Sequence, residues 1–178
     1  MPNEPPSPAH SSSSLRLQGV MGPLVQLPAS PEDVSSIDAI VRAVYEAVSF
    51  TDGRGPDGVR LAGLCSPHAR LSKVYPGGID DMGVAEFVLR VQARIGSAGL
   101  TTFVERELYR RTEVFSGIAH VFTTYEARTA VDEGDELLYR GINSIQLRND
   151  GRRWWILTIL WTDEHEGSPI PPAYLPRS

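Results

Sequence analysis

The sequence predicts an α+β domain, with three N-terminal helices packed on an antiparallel sheet. Two observations carry this. Apolar residues recur at steps of three and four in the first half of the chain, then at steps of two from Thr101 onward. The last four extended segments form two pairs, joined by the turn dipeptides Ser116-Gly117 and Asp150-Gly151.

Residues 1–30 are rich in Pro, Ser and Gly and read as a tail, because they bury too little apolar surface to offset chain entropy. Leu15, Leu17, Val20 and Leu24 are available to lie against the domain. The first helix is expected over 31–49. Ser30 suits its N-cap, Pro31 its first position and Asp33 a capping box, and Val34, Ile37, Val41, Val44 and Val48 form one stripe. Tyr45 lies beside that stripe and reads as core, with a pocket-lining hydroxyl as the second reading. The Gly-rich stretch from Phe50 to Asp57 lacks the Gly-Lys-Ser/Thr ending of a phosphate loop, and no strand precedes it.

A short helix follows at 57–65, ended by Pro67, then an extended piece at 69–75 and a turn at Gly77-Gly78. Asp80 or Asp81 is expected to cap a helix over 82–97, with Val84, Phe87, Val88, Val91 and Ile95 on its apolar face. Glu86, Arg90 and Arg94 repeat every four residues on its solvated face. Strands are expected at 102–115, 118–131, 137–149 and 152–163, with an acidic loop around Asp132–Glu136. The domain thus runs over 31–163, and the Pro-rich segment 164–178 wraps it or hangs free.

The composition narrows the function. A length of 178 residues suits one domain, and a net charge of −5 speaks against nucleic acid as a partner. The single Cys65 forms no internal disulfide, and the four scattered His residues show no zinc-ligand spacing, so no metal is expected. The apolar run from Trp154 to Trp161 is far shorter than the ~20 residues of a membrane helix. The start of the chain shows neither a basic nor an apolar leader segment, so a cytoplasmic location is expected. Of 17 basic residues only Lys73 is a lysine, which reads as compositional bias because the Arg residues are scattered.

Register arithmetic gives facing residues. Pairing Phe115 with Ile118 sets Glu113 against His120 and Tyr109 against Thr124, and pairing Asn149 with Arg152 sets Asn143 against Thr158. Both faces of the last hairpin are then largely apolar. One packs on the helices, and the other needs a cover, for which a homodimer through the outer sheet face is the expectation.

His120 and Glu113 sit near a hairpin tip and read as a surface pair. Glu105, Glu107, Glu126 and Arg128 read as one solvated face with a Glu105–Arg128 salt bridge; the rival is a carboxylate pair with one raised pKa. Tyr125, Asn143 and Thr158 fall on an apolar face and are the expected pocket lining, with Tyr45 beside them and Arg110 as an edge charge for an anionic ligand. The string Asp163-Glu164-His165-Glu166 reads as a solvated loop, and Cys65 as core filling. No catalytic set is identified.

Three stretches carry a family resemblance. Leu61-Ala-Gly-Leu-Cys-Ser-Pro-His-Ala-Arg-Leu71, Val84-Ala-Glu-Phe87, and the strand segments Ala119–Tyr125, Gly141–Leu147 and Asp150–Ile156 resemble the SnoaL-like, polyketide-cyclase-like branch of the nuclear transport factor 2-like superfamily over about 31–163. The resemblance implies a cone-shaped, cystatin-like α+β barrel with a strongly bent sheet and a pocket between sheet and helices. Its members use the pocket for isomerisation, cyclisation, epoxide hydrolysis, dehydration or ligand binding, so the fold does not fix the reaction. His68 stands where many relatives have an acid, and neither a ketosteroid-isomerase Asp–Tyr pair nor an epoxide-hydrolase Asp–Arg–Asp set aligns. The expected function is a pocket domain for a small, largely apolar or weakly acidic molecule, with no cofactor. A cofactor-free acid–base enzyme and a structural dimerisation module are the alternatives.

Overall fold

The computed structural model of the chain describes residues 27–131 and 134–177. The expectations for the segment 1–26 and for Asp132 and Glu133 of the acidic loop lie outside the described residues. Among the described residues, α1 (Pro31–Val34), α2 (Ile37–Val48), α3 (Gly58–Leu64) and α4 (Val84–Ala98) pack on one six-stranded sheet. Its strands are β1 (Cys65–Tyr75), β2 (Gly78–Met82), β3 (Val104–Phe115), β4 (Ile118–Val131), β5 (Gly134–Asn149) and β6 (Trp154–Asp163), in the order β2-β1-β6-β5-β4-β3. The class is α+β, as the period change predicted. The sheet is open and mixed, because β1 lies parallel to β6 while the other pairs are antiparallel.

The expected helix over 31–49 is two helices. Ser36 is extended, and its hydroxyl oxygen accepts from the Ala39 N–H at 3.0 Å, so Ser36 is the working N-cap. Ser30 donates instead to the Glu32 carboxylate. Asp33 is buried and receives two bonds of 2.8 Å from Arg60, whose Nη2 also reaches Glu46 at 2.6 Å. One guanidinium thereby fastens α3 to both α1 and α2.

Pro67 does not end α3. The helix stops at Leu64 and the chain passes directly into β1, where Pro67 falls in the irregular gap between the Cys65–Ile156 and Arg70–Thr158 pairings. A proline has no N–H for the ladder, which suits that gap. Asp80 and Asp81 are likewise not helix caps. They belong to β2, where Asp81 accepts from Arg70 and Ser72, and Gly83 caps α4.

The Phe115–Ile118 hairpin has the expected register at its tip, with Glu113 facing His120 and Tyr109 facing Thr124. The last hairpin does not. Asn149 faces Trp154, because Asp150 Oδ1 accepts from the N–H groups of Arg152 and Arg153 and widens the turn beyond two residues. Three register shifts, at Glu107/Tyr109, Ala127/Arg128 and Gln146/Leu147, each insert one extra residue in a strand and bend the ladder around the helices.

The core lies between the helices and the inner sheet face. Ile40, Val41, Val44, Leu61 and Leu64 meet Leu71, Val121, Ile145, Leu147, Ile156 and Ile159 there. On the outer face of β4, Thr124 donates to the Tyr174 carbonyl at 2.6 Å and the Tyr174 ring meets Phe122 edge-on. The C-terminal segment therefore covers part of the outer face at β4, next to the last hairpin for which the sequence suggested a second subunit. No helix among the described residues is long and apolar enough to cross a membrane.

Candidate functional site

A cavity of about 370 Å³ opens between α2, α4 and the inner face of the sheet. Val44 and Val48 of α2, Phe87, Val91 and Ile95 of α4, Leu71 of β1, and Ile159 and Trp161 of β6 give it apolar walls. Its size suits a small molecule. Set into these walls are Lys73, Arg94, Glu105, Tyr125, Tyr139 and Asn143.

Glu105 faces the cavity because of the shift in β3. Without it, Glu105 would oppose Arg128 and share a face with Glu126. With Leu108 as the extra residue, Glu107 opposes Tyr125 and Glu105 opposes Ala127, so both acids move to the inner face. The expected Glu105–Arg128 salt bridge is accordingly absent among the described residues, and Arg128 and Arg106 pair with Glu126 instead. Burial pushes the Glu105 carboxyl up to about 8, the Asn143 amide that hydrogen-bonds to it pulls the other way, and the Asp163 charge adds to the rise. A carboxyl so placed holds its proton at neutral pH and exchanges it near neutrality.

A chain of hydrogen bonds runs behind this wall. Asn143 Nδ2 donates to the Tyr45 hydroxyl at 3.3 Å, and Tyr45 lies 3.0 Å from Thr123 Oγ1. Thr123 donates to Glu107 Oε1 at 2.6 Å, and Glu107 pairs with Arg110, which also reaches Asp38. Since Thr123 gives its proton to Glu107, Tyr45 gives its own to Thr123. The chain fixes the orientation of the Asn143 amide and so its second N–H toward Glu105.

On β4, the strand beside that of Glu105, the Tyr125 hydroxyl donates to Asp163 Oδ1 at 2.7 Å, and Lys73 Nζ pairs with Asp163 Oδ2 at 2.5 Å. Asp163 therefore does not lie in a solvated loop. It ends β6 and is half-buried. The Tyr139 hydroxyl makes no hydrogen bond among the described residues, and burial, with the charges of Glu105 and Asp163, raises its pKa. It is left free to donate to a guest.

Of the five residues expected in the pocket, Tyr125 and Asn143 line it. Tyr45 and Arg110 stand one layer behind, in the hydrogen-bond chain. Thr158 is a correction. The wide turn and the extra residue Leu157 place it opposite the exposed Gln146, on the outer face, and Asn143 faces Trp161 instead. Glu105, weighed in the sequence as part of a solvated face with a raised-pKa carboxylate as the rival reading, lines the cavity, and Tyr139, Lys73 and Arg94 line it without having been singled out for it. The one local signal for Glu105 is Leu108-Tyr109, two adjacent large side chains that break the alternation. Cys65 is buried, and burial pushes its thiol up to about 12. No group of three or more His, Cys, Asp or Glu among the described residues is placed to hold a metal.

No protein-family model and no curated protein sequence matches the chain. Solved structures do. LinA is similar over 78% of this chain and 92% of that one, at 14% identity and a TM-score of 0.56. A nuclear transport factor 2-like protein with a cystatin-like fold from Novosphingobium aromaticivorans is similar over 68% and 77%, at 14% identity and a TM-score of 0.51. A function-unknown protein from Mycobacterium tuberculosis is similar over 64% of each chain, so this chain spans less than two thirds of that one, at 17% identity and a TM-score of 0.50. The chain has the cystatin-like α+β fold of the nuclear transport factor 2-like proteins.

Proposed function

We propose that the domain binds a small, largely apolar molecule in the cavity and moves a proton on it, as an isomerase, cyclase or dehydratase does. The observation that carries this is Glu105, a carboxyl that lines a largely apolar cavity and whose pKa burial raises to about 8. A group that titrates near working pH both takes and returns a proton, which a shift of a double bond or an elimination requires. Asn143 holds the carboxyl in place. Cyclohex-3-enone in D₂O provides the test. Conversion to the conjugated ketone with deuterium incorporation by the native protein, and none by Glu105→Gln, supports the reading. Equal rates in the two proteins contradict it.

We further propose a homodimer through the outer face of β5 and β6. Its support is that Leu160 is 42% exposed there, while the C-terminal segment contacts Phe122 and Thr124 of β4. Light scattering at micromolar concentration decides between one and two subunits.

A further inference from the structure

The apolar cavity has a neighbour. A second cavity of about 410 Å³ is lined by Tyr75, Asp80, Thr162, Asp163, Glu164 and His165, and it shares Lys73 and Arg94 with the first. The second is the more polar of the two, although Val74 and Pro76 also line it, and two cations stand where they meet.

The charges around this junction divide unequally. Asp163 is taken by Lys73 and Tyr125, Asp80 by Arg90, and Glu164 by Arg140. Arg94 makes no ion pair and no side-chain hydrogen bond among the described residues. It stands exposed, on the solvated face that helical spacing gives it with Glu86 and Arg90, and it also lines both cavities. Tyr139 lines the same cavity with its hydroxyl also unpaired, and Arg94 is near enough for its charge to oppose the rise in the Tyr139 pKa. A planar guanidinium and a phenol, both without partners, form a ready receptor for one carboxylate. Burial favours the neutral form of Glu105, which lessens its repulsion of such a guest.

We propose that the ligand is an amphipathic carboxylic acid, its apolar body in the inner cavity and its carboxylate bound by Arg94 and Tyr139 where the two cavities meet. This rests on the reading of the inner cavity as a ligand site and adds to it the chemical class of the ligand. It also sets the ligand's direction: the carboxylate lies outward and the apolar end inward, so the carbon that exchanges a proton at Glu105 lies along the body of the chain rather than at its far end.

Calorimetric titration with 4-phenylbutyrate and with its neutral amide, 4-phenylbutanamide, at pH 7 tests this. The native protein is expected to bind the acid about tenfold more tightly than the amide, the scale of one charge-assisted contact. In Arg94→Gln the acid falls to the affinity of the amide, while the amide binds as before, which shows the cavity intact. If Arg94→Gln loses both ligands, Tyr139→Phe decides, and is expected to weaken the acid alone. Equal affinity of the native protein for acid and amide, a preference that survives Arg94→Gln, or a Tyr139→Phe protein that binds the acid unchanged overturns the inference while leaving the cavity a ligand site. Failure of the native protein to bind either ligand overturns the inference together with the reading on which it rests.

Discussion

Tyr125 donates its phenolic proton to Asp163 Oδ1 at 2.7 Å, across the strands β4 and β6, and Gly141 of β5 leaves the space for it. The Cβ of any other residue at 141 would fall on that hydroxyl and on the Thr162 carbonyl. Tyr125→Phe is therefore expected to cost about 1.5–3 kcal/mol, the scale of a hydrogen bond to a charged group. Gly141→Ala is expected to cost about 1–3 kcal/mol by overpacking the same place. Urea unfolding measures both, and together they should cost less than their sum, because they disturb one contact.

Asn143 stabilises the ionised form of Glu105 against burial. Asn143→Leu removes that hydrogen bond and should move the Glu105 midpoint upward from about 8. It should also free the Tyr45 hydroxyl from its amide partner. A ¹³C titration of the Glu105 carboxyl in the variant reads the direction of the shift.

Stability should fall as pH rises. The folded-state pKa of Glu105 is raised from 4.5 to about 8, so between these values the folded chain holds a proton that the unfolded chain has lost. The contribution is fully present below 4.5 and lost as pH rises toward about 8. Urea midpoints of the native protein from pH 5 to 9 should decline, and Glu105→Gln should flatten the decline. Parallel curves for the two proteins would contradict the burial of this acid.

Arg60→Ala should cost on the order of 2–3 kcal/mol, because it leaves the buried Asp33 carboxylate unpaired. Arg60 holds the Asp33 carboxyl below its usual 3.8, so the pair's stabilisation is present above 3.8 and lost as pH falls through the folded value. Acid unfolding of Arg60→Ala, followed by circular dichroism, should lack that loss.

The elements were legible where the local pattern decides them. Alternation and the Ser116-Gly117 turn place β3 and β4 to within two residues, and the stripe of Val41, Val44 and Val48 places α2 on the core. The hairpin of β1 and β2 was not, because Pro67 resembles a stop and Asp80-Asp81 resembles a cap until β6 is known to lie alongside β1. The site was half legible. Tyr125 and Asn143 follow from alternation. Glu105 and Thr158 each exchange faces through one extra residue, Leu108 or Leu157, and a single inserted residue leaves composition and period almost unchanged. The lone lysine, Lys73, was visible in the sequence as an oddity, yet its place beside Asp163 depends on a strand pairing that no local pattern reveals.

Central to this account is a carboxyl that holds its proton at the wall of an apolar cavity. Carbon-detected NMR titration of the Glu105 carboxyl in the native protein, assigned by Glu105→Gln, tests it most directly. A midpoint near 8 is the predicted result. A midpoint near the ordinary 4.5 would contradict the placement of Glu105 and the proton transfer proposed for it.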